Sequence, residues 1–506
     1  MKKILIANRG EIALRIIRAV KELGYRAAVV YSESDRESLP VKFADEAFAI
    51  GKDELADSYL NIDKIVETAR KSGCQAVHPG YGFLSENAEF AKAVIKAGMT
   101  FIGPTPEVLV GLGDKIEARK AAEKAGVPVI LGYNGEISNG RTAKTVAAKI
   151  GYPLILKAAH GGGGRGMRIV TSQENLVTSV KMAIAESKTA FGSSLVFMER
   201  FISNSKHVEI QVLSDKYGNV IPLFERDCSV QRKHQKMIEE APCCMMNQKL
   251  RNKLYEYAIR LVKATGYCGA GTVEFLFDGK NDFFFLEVNP RIQVEHPVTE
   301  LISGIDIVKE QIRVCFGEEL SVRQKDLMIN GAALECRIQA EEYVPESGLF
   351  KPSFGRIVNY IAPSGFGVRV ESSCFTGAEV TPKFDSMIAK IITHGRDRAE
   401  ALKKMEIALS ETRVEGISTN ISFLKSVLRD TEFKSGCYFT NFLNEFLNKR
   451  DQSHRGEHME CAALVASLLR DREERKHKPV IQTIKKIINR WNLAARTENF
   501  RSRKGF

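Results

Sequence analysis

From Lys2 to Ser32 the chain reads KKILIANRGEIALRIIRAVKELGYRAAVVYS: an apolar run from Ile4 to Ala7, apolar positions at Ile12, Ile16, Val20 and Leu23, and a second apolar run from Ala27 to Tyr31. Continuous short apolar runs suit strands covered on both faces, and the middle segment has helical spacing, so the pattern predicts a βαβ unit. A further αβ unit, Ile62 to Arg70 and then Ala76-Val77-His78-Pro79, extends this to an open parallel sheet within roughly the first 110 residues. Only Gly10 stands in the first turn, where a dinucleotide fingerprint needs G-x-G-x-x-G, which argues against nicotinamide cofactors. A helix is expected from Gly113-Asp114-Lys115 to Ala125. Short strands and helices follow Gly126-Val127-Pro128 as far as Gly317. Beyond Gly331 closely spaced turn signals (ESGLFKPSFGRIVNY, IAPSGFGVRVES) predict an antiparallel region ending near Leu447.

Length and composition narrow the class. At 506 residues the chain is too long for one core and suggests about three domains. No apolar run approaches the ~18 residues of a membrane span, and the apolar stretch after Met1 is too short for a secretory signal. Ten cysteines without C-x-x-C spacing indicate neither a disulfide framework nor a zinc site, so a reducing cytoplasm is expected. The net charge is +12, but the segment from Leu447 onward holds 15 Lys/Arg against 7 Asp/Glu, or +8 of it. The body is near neutral, which disfavours nucleic acid as its ligand.

HGGGGRGM, His160 to Met167, follows the β-type run Leu154-Ile155-Leu156-Lys157 and precedes another apolar run, Met167 to Val170. Without G-K-[ST] it is not a Walker loop. A hairpin tip whose backbone N–H groups close over phosphates, with Lys157 at its base and Arg165 near, fits the flanking strands better than a plain linker.

The second constellation is GAGTVEFLFDGKNDFFFLEVNPRIQVEHPVTE, residues 269 to 300. Asp278-Gly279-Lys280-Asn281-Asp282 is turn chemistry between two β runs. Pairing Asp278 with Phe283 sets Glu274 opposite Glu287, with Asn289 on the same face. Opposed carboxylates at ~5 Å destabilise a sheet unless a cation lies between them, and magnesium prefers such an oxygen set. A bulge would shift the register and send the acids to opposite faces, and a protonated acid is another solution. Arg291, Gln293 and Glu295 alternate just beyond; they offer a planar fork for an oxyanion and a carboxylate base, or a solvated edge. Arg337 in LECRIQAE and the segment SVQRKHQK (Ser229 to Lys236) add basic donors, or a charged surface strand.

Taken in order, IANRGEIA, HPGYGFLSEN, the glycine loop, HVEIQVL, ERDCSVQRKHQK, RIQVEHPVTE, ECRI and FDSMIAK resemble the biotin carboxylase subunits of biotin-dependent carboxylases, of the ATP-grasp superfamily, over about residues 1 to 445. The resemblance implies an α/β and α+β multidomain fold. Residues 1–114 form a Rossmann-like N-terminal domain, 115–330 an ATP-grasp domain with a mobile glycine-rich lid at about 131–203, 331–447 a C-terminal α+β domain, and 448–506 a basic, partly helical tail. It implies ATP binding by Lys115, Lys157, Gly162, Gly163, Gly164, Gly166, Glu199, Ile202, His207, Gln231, His234 and Leu276. Glu274, Glu287 and Asn289 hold two Mg²⁺ or Mn²⁺ ions, the two glutamates also facing ATP. Lys236, Arg291, Gln293 and the Val294 backbone hold bicarbonate; Glu295 is the base; Arg337 and Tyr81 meet biotin.

The implied reaction is ATP-dependent carboxylation of biotin by bicarbonate through carboxyphosphate. Another ATP-grasp ligase, of carbamoyl-phosphate or purine-pathway type, shares the lysines, lid and acids, and a non-catalytic ATP-binding regulator is the rival from a different class. Departures from the family pattern are His160 and Arg200, Pro290, Lys383-Phe384, and a turn one residue longer between the acidic strands. No Ala/Val-Met-Lys-Met occurs; Val180-Lys181-Met182 lies in a helical pattern with Val177 and Ile184. Biotin is therefore expected on a carrier protein, with a carboxyltransferase as second partner, and the chain itself is expected to form a homodimer. The tail shows an apolar stripe (Val480, Ile484, Ile487, Ile488, Trp491) with basic residues opposite, suited to docking one of these partners. The final carboxyl acceptor is not encoded in these motifs.

Overall fold

The structure is a computed structural model that describes residues 1–449 apart from 134, 136, 138, 159–166, 192–194 and 346. The chain divides into two compact units, Met1–Phe446 and Leu447–Phe506. The expected helical tail and the lid glycines Gly162, Gly163, Gly164 and Gly166 lie outside the described residues.

The opening βαβ pattern becomes the strand Lys3–Ile6, the helix Gly10–Glu22 and the strand Arg26–Ser32. The two strands pair in parallel within a five-stranded sheet that continues to Glu46–Gly51 on one side and to Ala76–His78 and Thr100–Phe101 on the other. Ile12, Ile16, Ile17 and Val20 lock the helix onto Ile4, Ile6 and Val29, the burial that fixes this layer. Gly10, at φ +65°, makes the strand-to-helix turn.

A four-stranded sheet, ordered Gly132–Tyr133, Val196–Arg200, Leu154–Ala158, Met167–Val170, packs against the helices Gly140–Ile150 and Leu176–Phe191 through Val146, Ile150, Leu154, Leu156 and Val180. Leu154–Ala158 and Met167–Val170 pair antiparallel, Lys157 opposite Met167, so the glycine loop connects the arms of a hairpin. Lys181 sits within the second helix, as its spacing predicts.

The largest sheet has eight strands in the order Phe283–Asn289, Gly269–Phe277, Lys206–Ser214, Val220–Arg232, Gln235–Ala241, Ala332–Gln339, Met387–Gly395, Val368–Ser372. All neighbours are antiparallel. The strand Gln235–Ala241 pairs directly with Ala332–Gln339, so one continuous sheet runs across position 330. Val208, Ile210, Val212, Val273, Phe275 and Phe285 form the apolar face, covered by Leu250, Leu254, Ala258 and Leu261 of the helix Gln248–Thr265. The opposite face carries the polar groups.

Candidate active site

The acidic hairpin reaches its register by a different route from the one the turn residues suggest. Asp278 N donates to Asp282 O at 3.0 Å, and Asp278 Oδ1 accepts from the amides of Lys280, Asn281 and Asp282, so the loop is Gly279 to Asn281 and Phe277, not Asp278, faces Phe283. That register alone is one residue out. A bulge then leaves Leu286 unpaired and restores Glu274 opposite Glu287 and Thr272 opposite Asn289. The bulge that would have separated the acids in the simpler register brings them together here.

Asn289 Nδ2 donates to Glu274 Oε1 at 2.8 Å. Burial pushes the Glu287 carboxyl above its ordinary range, and the charge of Glu274 adds to the push. Among the described residues the Glu287 carboxylate has no hydrogen-bond partner. Two opposed carboxylates and an amide oxygen, one acid short of partners, fit a hard divalent cation.

Lys236 is the hub beside this pair. Its Nζ contacts Glu209 Oε2 at 2.5 Å, Glu295 Oε1 at 2.6 Å and Glu274 Oε1 at 2.9 Å. Burial disfavours the ammonium, but Glu209, Glu274 and Glu295 override it and hold the Lys236 pKa far above normal. Glu295 shows the reverse balance: burial raises it, and Lys236, Arg337 and Arg226 hold it well below the usual carboxylate range. Arg337 Nη2 donates to Glu295 Oε2 at 2.8 Å and its Nε to Glu239 Oε1 at 2.6 Å. Arg291 donates to Glu86, Gln293 and Asn289, and Gln293 Nε2 donates to Glu274 Oε1 at 3.1 Å. The predicted oxyanion triplet thus adjoins the acidic pair.

The glycine-loop side carries the second cationic group. Lys157 Nζ meets Glu199 Oε2 at 2.5 Å and Arg119 Nη1 meets Glu199 Oε1 at 3.0 Å. Burial raises the Glu199 carboxyl, and Lys157 and Arg119 bring it below normal. Lys115, at the start of a helix capped by Asp114, exerts its charge on both Glu199 and Glu287. His207 Nε2 lies 2.8 Å from Glu274 Oε2 and its Nδ1 2.8 Å from Gln231 Nε2. Leu276 faces His207 across the strands. Lys233 and His234 both take positive φ, 49° and 65°, in the two-residue turn closed by Arg232 and Gln235. Side chains rarely adopt this conformation, at a cost of order 1–3 kcal/mol each, and here it holds His234 within the electrostatic reach of Lys157 and His207. Ile202 follows the strand Val196–Arg200, its carbonyl accepting from Ser205 Oγ. Tyr81 donates to Glu11 Oε1, and its phenol feels the charge of Arg337.

With this geometry fixed, similarity to known proteins becomes informative. The chain is 48% identical over 447 residues to biotin carboxylase 1 of Bacillus subtilis, covering 88% of this chain and 99% of that one. The chain belongs to the biotin carboxylase family. Residues 1–109 match the family described as biotin carboxylase, N-terminal domain, residues 335–445 the biotin carboxylase C-terminal domain, and residues 114–323 the carbamoyl-phosphate synthase L chain, ATP binding domain. Biotin carboxylase of Pseudomonas aeruginosa is 48% identical over 448 residues, covering 88% of this chain and 99% of that one. The biotin carboxylase domain dimer of Hydrogenobacter thermophilus 2-oxoglutarate carboxylase, solved with MgADP, ADP and bicarbonate, has a TM-score of 0.84 at 46% identity over 88% of this chain and 97% of that one. The three-domain biotin carboxylase architecture and the ATP-dependent ligase class follow.

Several groups at the biotin carboxylase centre received no role from the motifs, although Glu209, Arg226 and Glu335 lie within HVEIQVL, ERDCSVQRKHQK and ECRI. Glu209 binds Lys236 on one oxygen and, through Oε1, Arg226 at 2.5 Å; Arg226 is fully enclosed and also donates to Gln211, Thr272 and Thr299. His207, Glu209 and Gln211 alternate with Val208, Ile210 and Val212, a signal that would have placed Glu209 beside Glu274 had the strand pairing been known. Glu239 and Glu335 oppose each other on neighbouring strands, fully buried. Burial lifts the Glu239 carboxyl to about 7, and lifts Glu335 well above the carboxylate range although Lys390 opposes it. Among the described residues no helix is long and apolar enough to cross a membrane, and the described cysteines are free.

Proposed function

We propose that the chain carboxylates biotin at the expense of ATP, using bicarbonate, with biotin carried on a partner chain. Lys115, Lys157 and the lid glycines hold the phosphates, and Glu199, Ile202, His207, Gln231, His234 and Leu276 line the nucleotide pocket. Glu274, Glu287 and Asn289 hold Mg²⁺ or Mn²⁺, which supplies neutralisation of phosphate charge when bound. Lys236, Arg291, Gln293 and the Val294 amide bind bicarbonate. Glu295 takes its proton, and the bicarbonate oxygen attacks the γ-phosphorus as the bond to ADP breaks. Carboxyphosphate then gives CO₂ and phosphate; the phosphate removes the N1 proton of biotin, whose nitrogen attacks CO₂. Arg337 stabilises the enolate that develops on the ureido oxygen, and Tyr81 lines the biotin pocket. Carboxyphosphate hydrolyses in water, so closure of the lid over the site serves to exclude it.

The observation that carries this reading is the placement of Glu295 between Lys236 at 2.6 Å and Arg337 at 2.8 Å, with Glu274 on the far side of Lys236. One base is thereby shared between a group that also binds Glu274 and a group whose charge reaches the Tyr81 phenol. The test is ATP hydrolysis that depends on bicarbonate and is stimulated by free biotin. Absence of stimulation at high biotin returns the chain to the other ATP-grasp ligases, and ATP binding without turnover to the regulator.

The biotin carrier and a carboxyltransferase are separate chains in this proposal, the enzyme is a cytoplasmic homodimer, and residues 448–506 dock one of those chains. Removing that segment is expected to leave carboxylation of free biotin intact while weakening association with the other chains in co-purification; loss of both together counts against docking.

A further inference from the structure

Lys390 is fully buried on the strand Met387–Gly395, yet its ammonium is spent on two groups from distant parts of the chain. Nζ donates to the Val294 carbonyl at 2.7 Å and lies 3.0 Å from Glu11 Oε1. That same Glu11 oxygen accepts the phenolic hydroxyl of Tyr81, and Nζ stands 5.9 Å from the centroid of the Tyr81 ring. Glu11 is itself 5% exposed and opens the helix Gly10–Glu22. An unbroken path therefore runs from Tyr81 through Glu11 and Lys390 to the backbone of Val294. The N-terminal, central and C-terminal thirds of the chain meet on one nitrogen.

The backbone at Val294 is held on both sides. The preceding carbonyl, of Gln293, is 2.7 Å from His296 Nδ1, and the following one is the carbonyl that Lys390 holds. The first bond orients the Val294 amide and the second orients the peptide leading into Glu295. A buried ion pair adds little stability over an apolar pair of the same volume. What it provides, and an apolar pair does not, is directed bonds to particular atoms.

We infer that Lys390 and Glu11 are positioning residues that fix the bicarbonate-binding backbone at Val294–Glu295 relative to the biotin-facing ring of Tyr81. The inference rests on the bicarbonate and biotin assignments made above. Neither residue touches a reacting atom; each sets the distance and orientation between two substrates that must meet, an effect to which rate is sensitive at the scale of about 1 Å. Loss of the pair should therefore weaken the use of bicarbonate and biotin together and leave the nucleotide alone.

The experiment uses the full-length chain and the variants Glu11→Gln, Lys390→Arg and the double variant Lys390→Met/Glu11→Gln, which removes both charges and strands neither. Michaelis constants for ATP, bicarbonate and free biotin are measured from ATP hydrolysis. The double variant is expected to raise KM for bicarbonate and for biotin by about tenfold or more and to leave KM for ATP within about twofold; Lys390→Arg, which keeps donors for both partners, is expected to recover part of the bicarbonate loss. Unchanged bicarbonate and biotin constants overturn the inference, and so does a parallel rise in all three. Should the double variant fail to fold, Glu11→Gln decides alone: it weakens the anchor of Tyr81 and is expected to raise KM for biotin more than that for bicarbonate, and equal effects count against the pair. An unmodified chain without biotin stimulation overturns the biotin reading itself, a result distinct from any of these.

Discussion

Replacing Arg337 with Met removes the guanidinium that donates to Glu239 and Glu295 while keeping much of the side-chain volume. Glu239 is fully buried, one of its oxygens has no other partner, and its folded pKa is about 7 against an ordinary 4.5. The folded chain thus binds a proton at Glu239 that the unfolded chain releases, so stability falls as pH rises from 4.5 to 7. At about 1.4 kcal/mol per pH unit this amounts to about 3 kcal/mol by pH 7, and the loss through this group levels off within about a unit above it. Arg337 lowers the Glu239 pKa, so in Arg337→Met the titration moves above 7 and the loss continues. The stability gap between the two proteins should be flat below about pH 6 and widen above about pH 7, by at most about 1.4 kcal/mol per unit, until the titration in the variant is itself passed. Packing adds a constant offset, and Glu335, which faces Glu239 and is also lowered by Arg337, shifts in the same direction and adds to the tilt. Urea midpoints followed by circular dichroism from about pH 5.5 to 9, multiplied by the m-value, give the gap directly. A gap that stays level across that upper range refutes the coupling of Glu239 to Arg337.

Lys157→Gln removes one of the two cations bonded to Glu199 and is expected to raise KM for ATP by about tenfold or more while KM for bicarbonate holds, measured by coupled ADP release. Glu287→Gln removes a like charge opposite Glu274; it should leave the metal-free protein unchanged or up to about 1 kcal/mol more stable in urea, and lower Mn²⁺ affinity at least about tenfold by titration calorimetry. Because Glu295 in the free protein is held well below 4.5 by Lys236 and Arg337, kcat/KM for bicarbonate should show no acid limb from Glu295 between about pH 5.5 and 7; Lys236→Met, although weakened, should show one shifted upward, read from pH profiles of ATP hydrolysis.

Periodicity carried the local elements and stopped where pairing became non-local. The runs Ile4–Ala7 and Ala27–Tyr31 around a helical stripe were legible because strands buried on both faces leave continuous apolar text. The pairing of Gln235–Ala241 with Ala332–Gln339, which carries one sheet across position 330, leaves no trace in either segment, because neither strand changes character when its partner lies about a hundred residues away. At the acidic hairpin the facing pair Glu274–Glu287 was legible although its route was not: the turn closes one residue earlier than its composition suggests, and the bulge at Leu286 compensates. Glu209, Arg226, Glu239, Glu335 and Lys390 read as polar positions of ordinary alternating strands. Their full burial follows from contacts that only the assembled sheet and its covering loops supply.

The cluster also bears on how Glu295, the base proposed above, could accept a proton despite so low a proton affinity. In the free protein Glu295 shares Lys236 with Glu209 and Glu274 and shares Arg337 with Glu239, so its charge is compensated twice. On the proposed assignment, a bicarbonate anion arriving at Lys236 would draw on the same cation, and the attraction that holds Glu295 ionised would be divided among more anions. Its proton affinity then rises where the proton to be removed is presented. By the same competition Glu209 and Glu274, both bound to Lys236, would limit how strongly it holds the bicarbonate anion proposed for it. A lone, uncompensated Glu295 would begin with higher basicity and without the two cations that orient the groups on either side of it. The arrangement ties the strength of the base to the presence of the anion it serves.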